Sequence, residues 1–84
     1  VVVHYENIPY RISDDPIKVG DMYINYNMFK RGINDKNYHQ IIGQVMEIGD
    51  EVIYAVEFKS DMLSSCKKII PLEEYERGAI KYNL

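Results

Sequence analysis

Three side chains of this 84-residue chain could share a metal ion or attack a substrate: His4, His39 and Cys66. Zinc asks for about four ligands in a tetrahedron, usually delivered in close pairs such as Cys-x-x-Cys. These three stand far apart and form no such pair, so no metal site is expected and no cofactor is implied. Cys66 would serve as a thiol nucleophile only beside a base and an oxyanion hole. Neither has a signature here, and Cys66 reads as a small apolar wall residue. Carboxylates cluster at Asp14 and Asp15 and again at Glu73, Glu74 and Glu76. Paired carboxylates can move protons, but on a turn and a short terminal helix solvated charge is the simpler reading. The glycines show no phosphate-loop spacing. An enzyme is not expected.

A different constellation could bind without reacting. Lys30, Arg31 and Lys36 lie near Tyr26, Phe29 and Tyr38. Cations interleaved with rings can hold phosphates and stack bases. The candidate binding residues are therefore Tyr26, Phe29, Lys30, Arg31 and Tyr38. The plainer reading, a solubilising loop with a few anchoring rings, is favoured by the negative overall charge.

These residues must be positioned by strands. The strongest signal runs over residues 40–59, read as two strands joined at Gly49 and Asp50. Val52, Tyr54, Val56 and Phe58 alternate with Ile53, Ala55 and Glu57, the period-two pattern of an extended chain. In the preceding run, Ile42, Gln44, Met46 and Ile48 alternate with Ile41, Gly43, Val45 and Glu47. Gly43 suggests a bulge or a close backbone approach. Gly49 can take the positive φ of a two-residue hairpin loop.

Elsewhere, residues 1–5 and 10–12 read as short strands broken by Pro9. Residues 13–16 are turn chemistry. Gly20 and Asp21 bend the chain into a strand over 22–26, with Met22, Ile24 and Tyr26 on one side and Tyr23 and Asn25 on the other. Residues 27–38 are irregular and 60–65 a polar loop. Residues 66–70 return as a strand ended by Pro71. Residues 72–80 read as a short helix opened by Pro71 and carrying Leu72, Tyr75, Ala79 and Tyr82 on one face. The core candidates are Ile17, Val19, Met22, Ile24, Val45 and Val52, with Tyr54, Val56, Phe58, Ile69, Leu72 and Tyr75.

Composition narrows the function classes. Residues 1–84 make one small domain, and a chain this short buries a modest share of its surface, so a self-associating interface is one route to stability. The net charge of −3 argues against a nucleic-acid partner. No apolar run approaches the roughly 20 residues that span a bilayer, and the opening valines lack the charged leader of a signal peptide. The single cysteine permits no internal disulfide and fits a reducing cytoplasm. Eight tyrosines supply apolar area with polar tips, suited to barrel walls and contact surfaces.

One stretch resembles a known group. Residues 12–25 run Ile-Ser-Asp-Asp-Pro-Ile-Lys-Val-Gly-Asp-Met-Tyr-Ile-Asn, and residues 66–70 run Cys-Lys-Lys-Ile-Ile. Both are similar to motifs of small, mostly uncharacterised bacteriophage proteins, with an acidic turn, an Ile-Lys pair and Gly-Asp followed by aromatics. The likeness spans residues 10–70, concentrated at its two ends. Met22 stands where those proteins carry an aromatic, and Pro71 and Leu72 depart from their continuation. The resemblance implies a phage or prophage context inside an infected bacterium and brings no active site with it.

The expected fold is mainly β: a small antiparallel β-barrel or strongly bent sheet of about five strands with a short C-terminal helix. The expected function is a non-catalytic binding module, a phage-encoded accessory or anti-defence protein that binds and blocks a host protein in the cytoplasm. The alternative is a nucleic-acid- or nucleotide-binding small β-barrel. The docking surface is expected in residues 27–38 or along a free strand edge.

Overall fold

The period-two segments do become strands, and the strands join into one antiparallel sheet. The structure, a computed structural model, describes residues 2–32 and 39–73. The strands are β1 (Val2–Tyr5), β2 (Ile8–Ser13), β3 (Met22–Asn25), β4 (Ile42–Ile48), β5 (Val52–Ala55), β6 (Ser60–Met62) and β7 (Cys66–Pro71). One short helix, α1 (Tyr26–Lys30), follows β3, and a 3-10 turn, Leu63–Ser65, precedes β7. The sheet order is β1-β2-β7-β3-β4-β5-β6, curled into a half-barrel. The mainly β class is thus as expected, with seven strands instead of about five among the described residues. The helix expected at 72–80 falls almost wholly outside those residues, as does Tyr75.

The chain enters on a tight hairpin. Glu6 and Asn7 both take positive φ, 51° and 66°, between Tyr5 and its partner Ile8. Two left-handed residues in a two-residue loop match the twist of the flanking strands. Pro9 was expected to break this region, yet it lies within β2 opposite His4. Its carbonyl accepts from Leu72 N at 3.0 Å, just past the last β2–β7 pair. A residue's N–H and C=O point to the same side of a strand, so the missing donor faces away from β1 and costs the β1–β2 ladder no bond.

β7 slides between β2 and β3, pairing Ile69 with Ile12 and with Met22. The turn into β3 is as expected: Asp21 N donates to Lys18 O at 3.0 Å, with Gly20 at φ 93°. That positive φ at the third position of the turn favours glycine. Upstream, where turn chemistry is expected over residues 13–16, Ser13 Oγ accepts from Asp15 N at 3.0 Å.

The sheet is buried on different faces at its two ends. Val3, Tyr5, Tyr10, Ile24, Ile42 and Ile69 form one core cluster. Tyr23, Val45, Ile53 and Ala55 form a second, joined by Ile17, Leu63 and Cys66. Tyr23 and Ile24 are consecutive on β3 and belong to different clusters, so β3 is buried on both faces. Such a strand has no polar side to mark.

Three expectations fail along β4, β5 and the next turn. The hairpin loop is Asp50–Glu51, closed by Gly49 N donating to Val52 O at 2.8 Å, one residue later than expected. The bulge lies between Val45 and Glu47, and what comes close to Gly43 is not backbone but the side chains of Glu57, Lys59 and Tyr23. β5 stops at Ala55, and residues 56–58 reverse the chain into β6. Ala55 N donates to Lys59 O and Phe58 N to Ala55 O, a three-residue loop with Phe58 in the left-handed region at φ 60°. The buried face of β5 is therefore Ile53 and Ala55. Tyr54, Val56 and Phe58, expected in the core, are exposed, and Val19 joins them at the tip of its turn.

Candidate functional site

The expected binding residues are partly gathered. Tyr26, Phe29 and Lys30 stand three and four residues apart, a spacing that α1 places on one face. Asn25 starts this helix by accepting from Met28 N at 3.1 Å. The rings of Tyr26 and Phe29 stack at 6.2 Å between centroids. Lys30 Nζ stands 5.1 Å and Lys67 Nζ 4.7 Å from the Tyr26 centroid. Lys67 also pairs with Asp14 at 2.6 Å. That bond holds the Asp14 carboxyl below, and the Lys67 ammonium above, its ordinary value. Phe29 packs against the first core cluster. The Tyr26 ring is thus already engaged by cations of its own chain. Arg31 ends α1 and lines a different cleft, of about 300 Å³, with Asn27, Met28, Ser60, Asp61 and Ser65. Tyr38 and Lys36 lie outside the described residues.

Beside that cleft runs a polar network that the sequence did not signal. The Tyr23 hydroxyl donates to Asp61 Oδ2 at 2.6 Å, and Asn25 Nδ2 donates to Asp61 Oδ1 at 3.0 Å. Burial, then the Asp61 carboxylate, pushes the Tyr23 phenol well above its ordinary value. Burial, then Asp61, also raises the neighbouring Cys66 thiol from 9.0 to about 12, against a smaller opposing pull from Lys59. A thiol held protonated at neutral pH is a poor nucleophile. His39 lies instead beside Tyr5, its Nδ1 3.2 Å from the hydroxyl. Among the described residues no three His, Cys, Asp or Glu side chains converge as a metal site would require.

Among the described residues the most exposed apolar surface lies elsewhere, on the outer face of β4, β5 and β6. Met46, Tyr54, Val56, Phe58 and Met62 are all exposed there, and Phe58 is 97% exposed. Met46, Tyr54 and Phe58 line a depression of about 320 Å³ with Ala55, Lys59 and Ser60. A left-handed conformation costs a non-glycine residue roughly 1–2 kcal/mol. This protein accepts that cost at Phe58 and leaves the ring in water. Backbone outliers of this kind concentrate at functional sites, and contiguous exposed apolar area marks interaction surfaces.

Among the described residues the same face ends in a strand edge that no further strand pairs with. β6 is the last strand of the sheet. Ala55 N donates to Lys59 O and Leu63 N to Glu51 O, so the intervening Ser60 and Met62 turn their backbone groups outward. Phe58 is expected in the core because the alternation runs on through residues 51–59, although nine residues exceed the usual five or six. Residues 60–65, expected as a polar loop, form β6 and the 3-10 turn, which puts Met62 on the strand.

No helix among the described residues is long and apolar enough to cross a membrane. Neither a family model nor a curated protein nor a solved structure matches the chain.

Proposed function

We propose that this protein is a non-catalytic binding module that docks a protein partner on the outer face of β4, β5 and β6. The observation that carries this reading is Phe58, fully in solvent on a left-handed backbone beside Tyr54 and Met46. Exposed aromatics in a shallow depression are the usual anchors of protein interfaces. The open edge of β6 offers the partner main-chain hydrogen bonds as well. The likeness of residues 12–25 and 66–70 to phage proteins extends the proposal. The chain is then a phage-encoded accessory or anti-defence protein, blocking a host protein in the bacterial cytoplasm.

The test is a photo-crosslinking aromatic placed at Phe58 of the full chain, irradiated in bacterial lysate. A discrete adduct, lost when Tyr54→Asp is added, supports the reading. Absence of any adduct overturns it.

The second reading, a nucleic-acid- or nucleotide-binding module, draws its support from Lys30 and Lys67 meeting at Tyr26 with Arg31 exposed nearby. Binding of single-stranded DNA or RNA that weakens steeply with salt, and is lost in Lys30→Ala with Arg31→Ala, would favour it.

A further inference from the structure

Resting on the docking face just described, we propose that its partner is a basic protein surface, with a bulky apolar side chain flanked by lysine or arginine. Charge complementarity selects such a surface. Residues 42–65 carry five carboxylates, Glu47, Asp50, Glu51, Glu57 and Asp61, against the single cation Lys59, so the acidity of the chain is concentrated here. Lys59 is already spent: its Nζ donates to His39 O at 2.9 Å and to Ile42 O at 2.7 Å. Asp61 accepts from Tyr23 and Asn25, and Glu57 Oε1 accepts from Gln44 N at 3.0 Å. Glu47, Asp50 and Glu51 remain exposed, and the described ion pairs, Lys67 with Asp14 and Lys68 with Asp21, do not involve them.

Two of these carboxylates stand at an apolar depression. Asp50 and Glu51 line a space of about 330 Å³ with Met62, Leu63 and Ser64. An apolar floor with acidic walls takes an apolar side chain whose neighbours are cations. The same charges exclude the other occupants. A nucleic-acid strand would be repelled. A two-fold pairing of this face with a second copy would set Glu47, Asp50 and Glu51 against their own kind. Surfaces that pair Lys and Arg with exposed apolar groups are those that hold nucleic acid in other proteins, so occupying one would block it.

The probes are two synthetic peptides of equal length and apolar content, one with Lys and Arg flanking a central Trp and Leu, the other with Glu. Each is titrated into the full chain carrying a nitrogen-15 label. The basic peptide is expected to shift the amides of residues 46–63. Its affinity should fall about tenfold or more between roughly 50 and 300 mM salt, and again in Asp50→Lys with Glu51→Lys. Both substitutions sit in an exposed turn and leave the fold readable by the same spectra. Equal binding of the two peptides overturns the proposal, as do shifts confined to α1 and β7. A sedimentation coefficient that rises with concentration overturns it too, by assigning the face to a second copy. A Phe58 adduct that survives Asp50→Lys with Glu51→Lys sinks the basic partner alone, whereas the lack of any adduct sinks the docking face.

Discussion

The hydroxyl of Tyr23 reaches Oδ2 of Asp61 across 2.6 Å, tying β3 in the middle of the sheet to β6 at its edge. β4 and β5 lie between these strands, and Tyr23 passes them because its partner in β4 is Gly43. A Cβ on Gly43 would stand 3.2 Å from Cε1 of the Tyr23 ring. An absent side chain on one strand thus opens the path for a hydrogen bond between two others.

Asp61→Ala should destabilise the protein by about 2–3 kcal/mol, because it leaves the buried Tyr23 hydroxyl and the Asn25 amide without their acceptor. Tyr23→Phe should cost about 1–2 kcal/mol by the same reasoning. The two changes combined should cost less than their sum, since they remove one shared interaction. Urea unfolding of the four chains measures this, and strict additivity would show the pair to be uncoupled.

Gly43→Ala should cost about 1–3 kcal/mol through overpacking. The added methyl would meet Glu57 Oε1 at 2.8 Å and Lys59 Cε at 3.1 Å as well as the Tyr23 ring. The two charged chains can move aside only by giving up their bonds to Gln44 N, His39 O and Ile42 O, and the Tyr23 ring is held by Asp61. The sign should therefore soften in a Tyr23→Phe background, which frees the ring. Thermal unfolding of both pairs checks it.

Phe58→Gly should raise stability by about 1 kcal/mol, since glycine takes the left-handed backbone without strain. It should at the same time abolish partner binding. A gain in stability paired with a loss of binding is the mark of a residue kept for contact. A loss of stability in denaturant would contradict the strain described here.

Alkaline pH should unfold the protein partly through Cys66. Its folded thiol titrates at about 12 against an ordinary 9.0. Between those values the unfolded chain has lost a proton that the folded chain retains, so stability falls as pH rises through that window. Tyr23, raised above 10.0, steepens the fall. Cys66→Ala should flatten the slope that begins near pH 9. At pH 8 the folded chain should hold roughly a thousandfold less thiolate than the unfolded chain. The rate of reaction with a thiol reagent, with and without urea, measures the difference.

The surface that could bind was only partly legible. Tyr26, Phe29 and Lys30 come together because their spacing needs nothing beyond one helical turn. The sequence places Phe58 in the core because it continues the alternation of Tyr54 and Val56. The reversal at residues 56–58 carries neither glycine nor proline to announce it, since Phe58 itself occupies the left-handed position. Asp61 gave no signal at all: its partner Tyr23 is 38 residues away in the chain.

Local chemistry in the sequence was enough for the β class, the hairpin of β4 and β5, the glycine turn into β3, and β7 ending at Pro71. Each follows from side-chain alternation or backbone preference within a few residues. Tertiary structure alone decided which face of β5 is buried. A period of two has two equivalent faces, and the choice fell to distant residues: Tyr23, Leu63 and Cys66 pack against Ile53 and Ala55. The insertion of β7 between β2 and β3 is likewise a long-range pairing. The choice of face on β5 turned Tyr54 outward, and the reversal at residues 56–58 set Phe58 beside it, together making the face on which the proposed function depends.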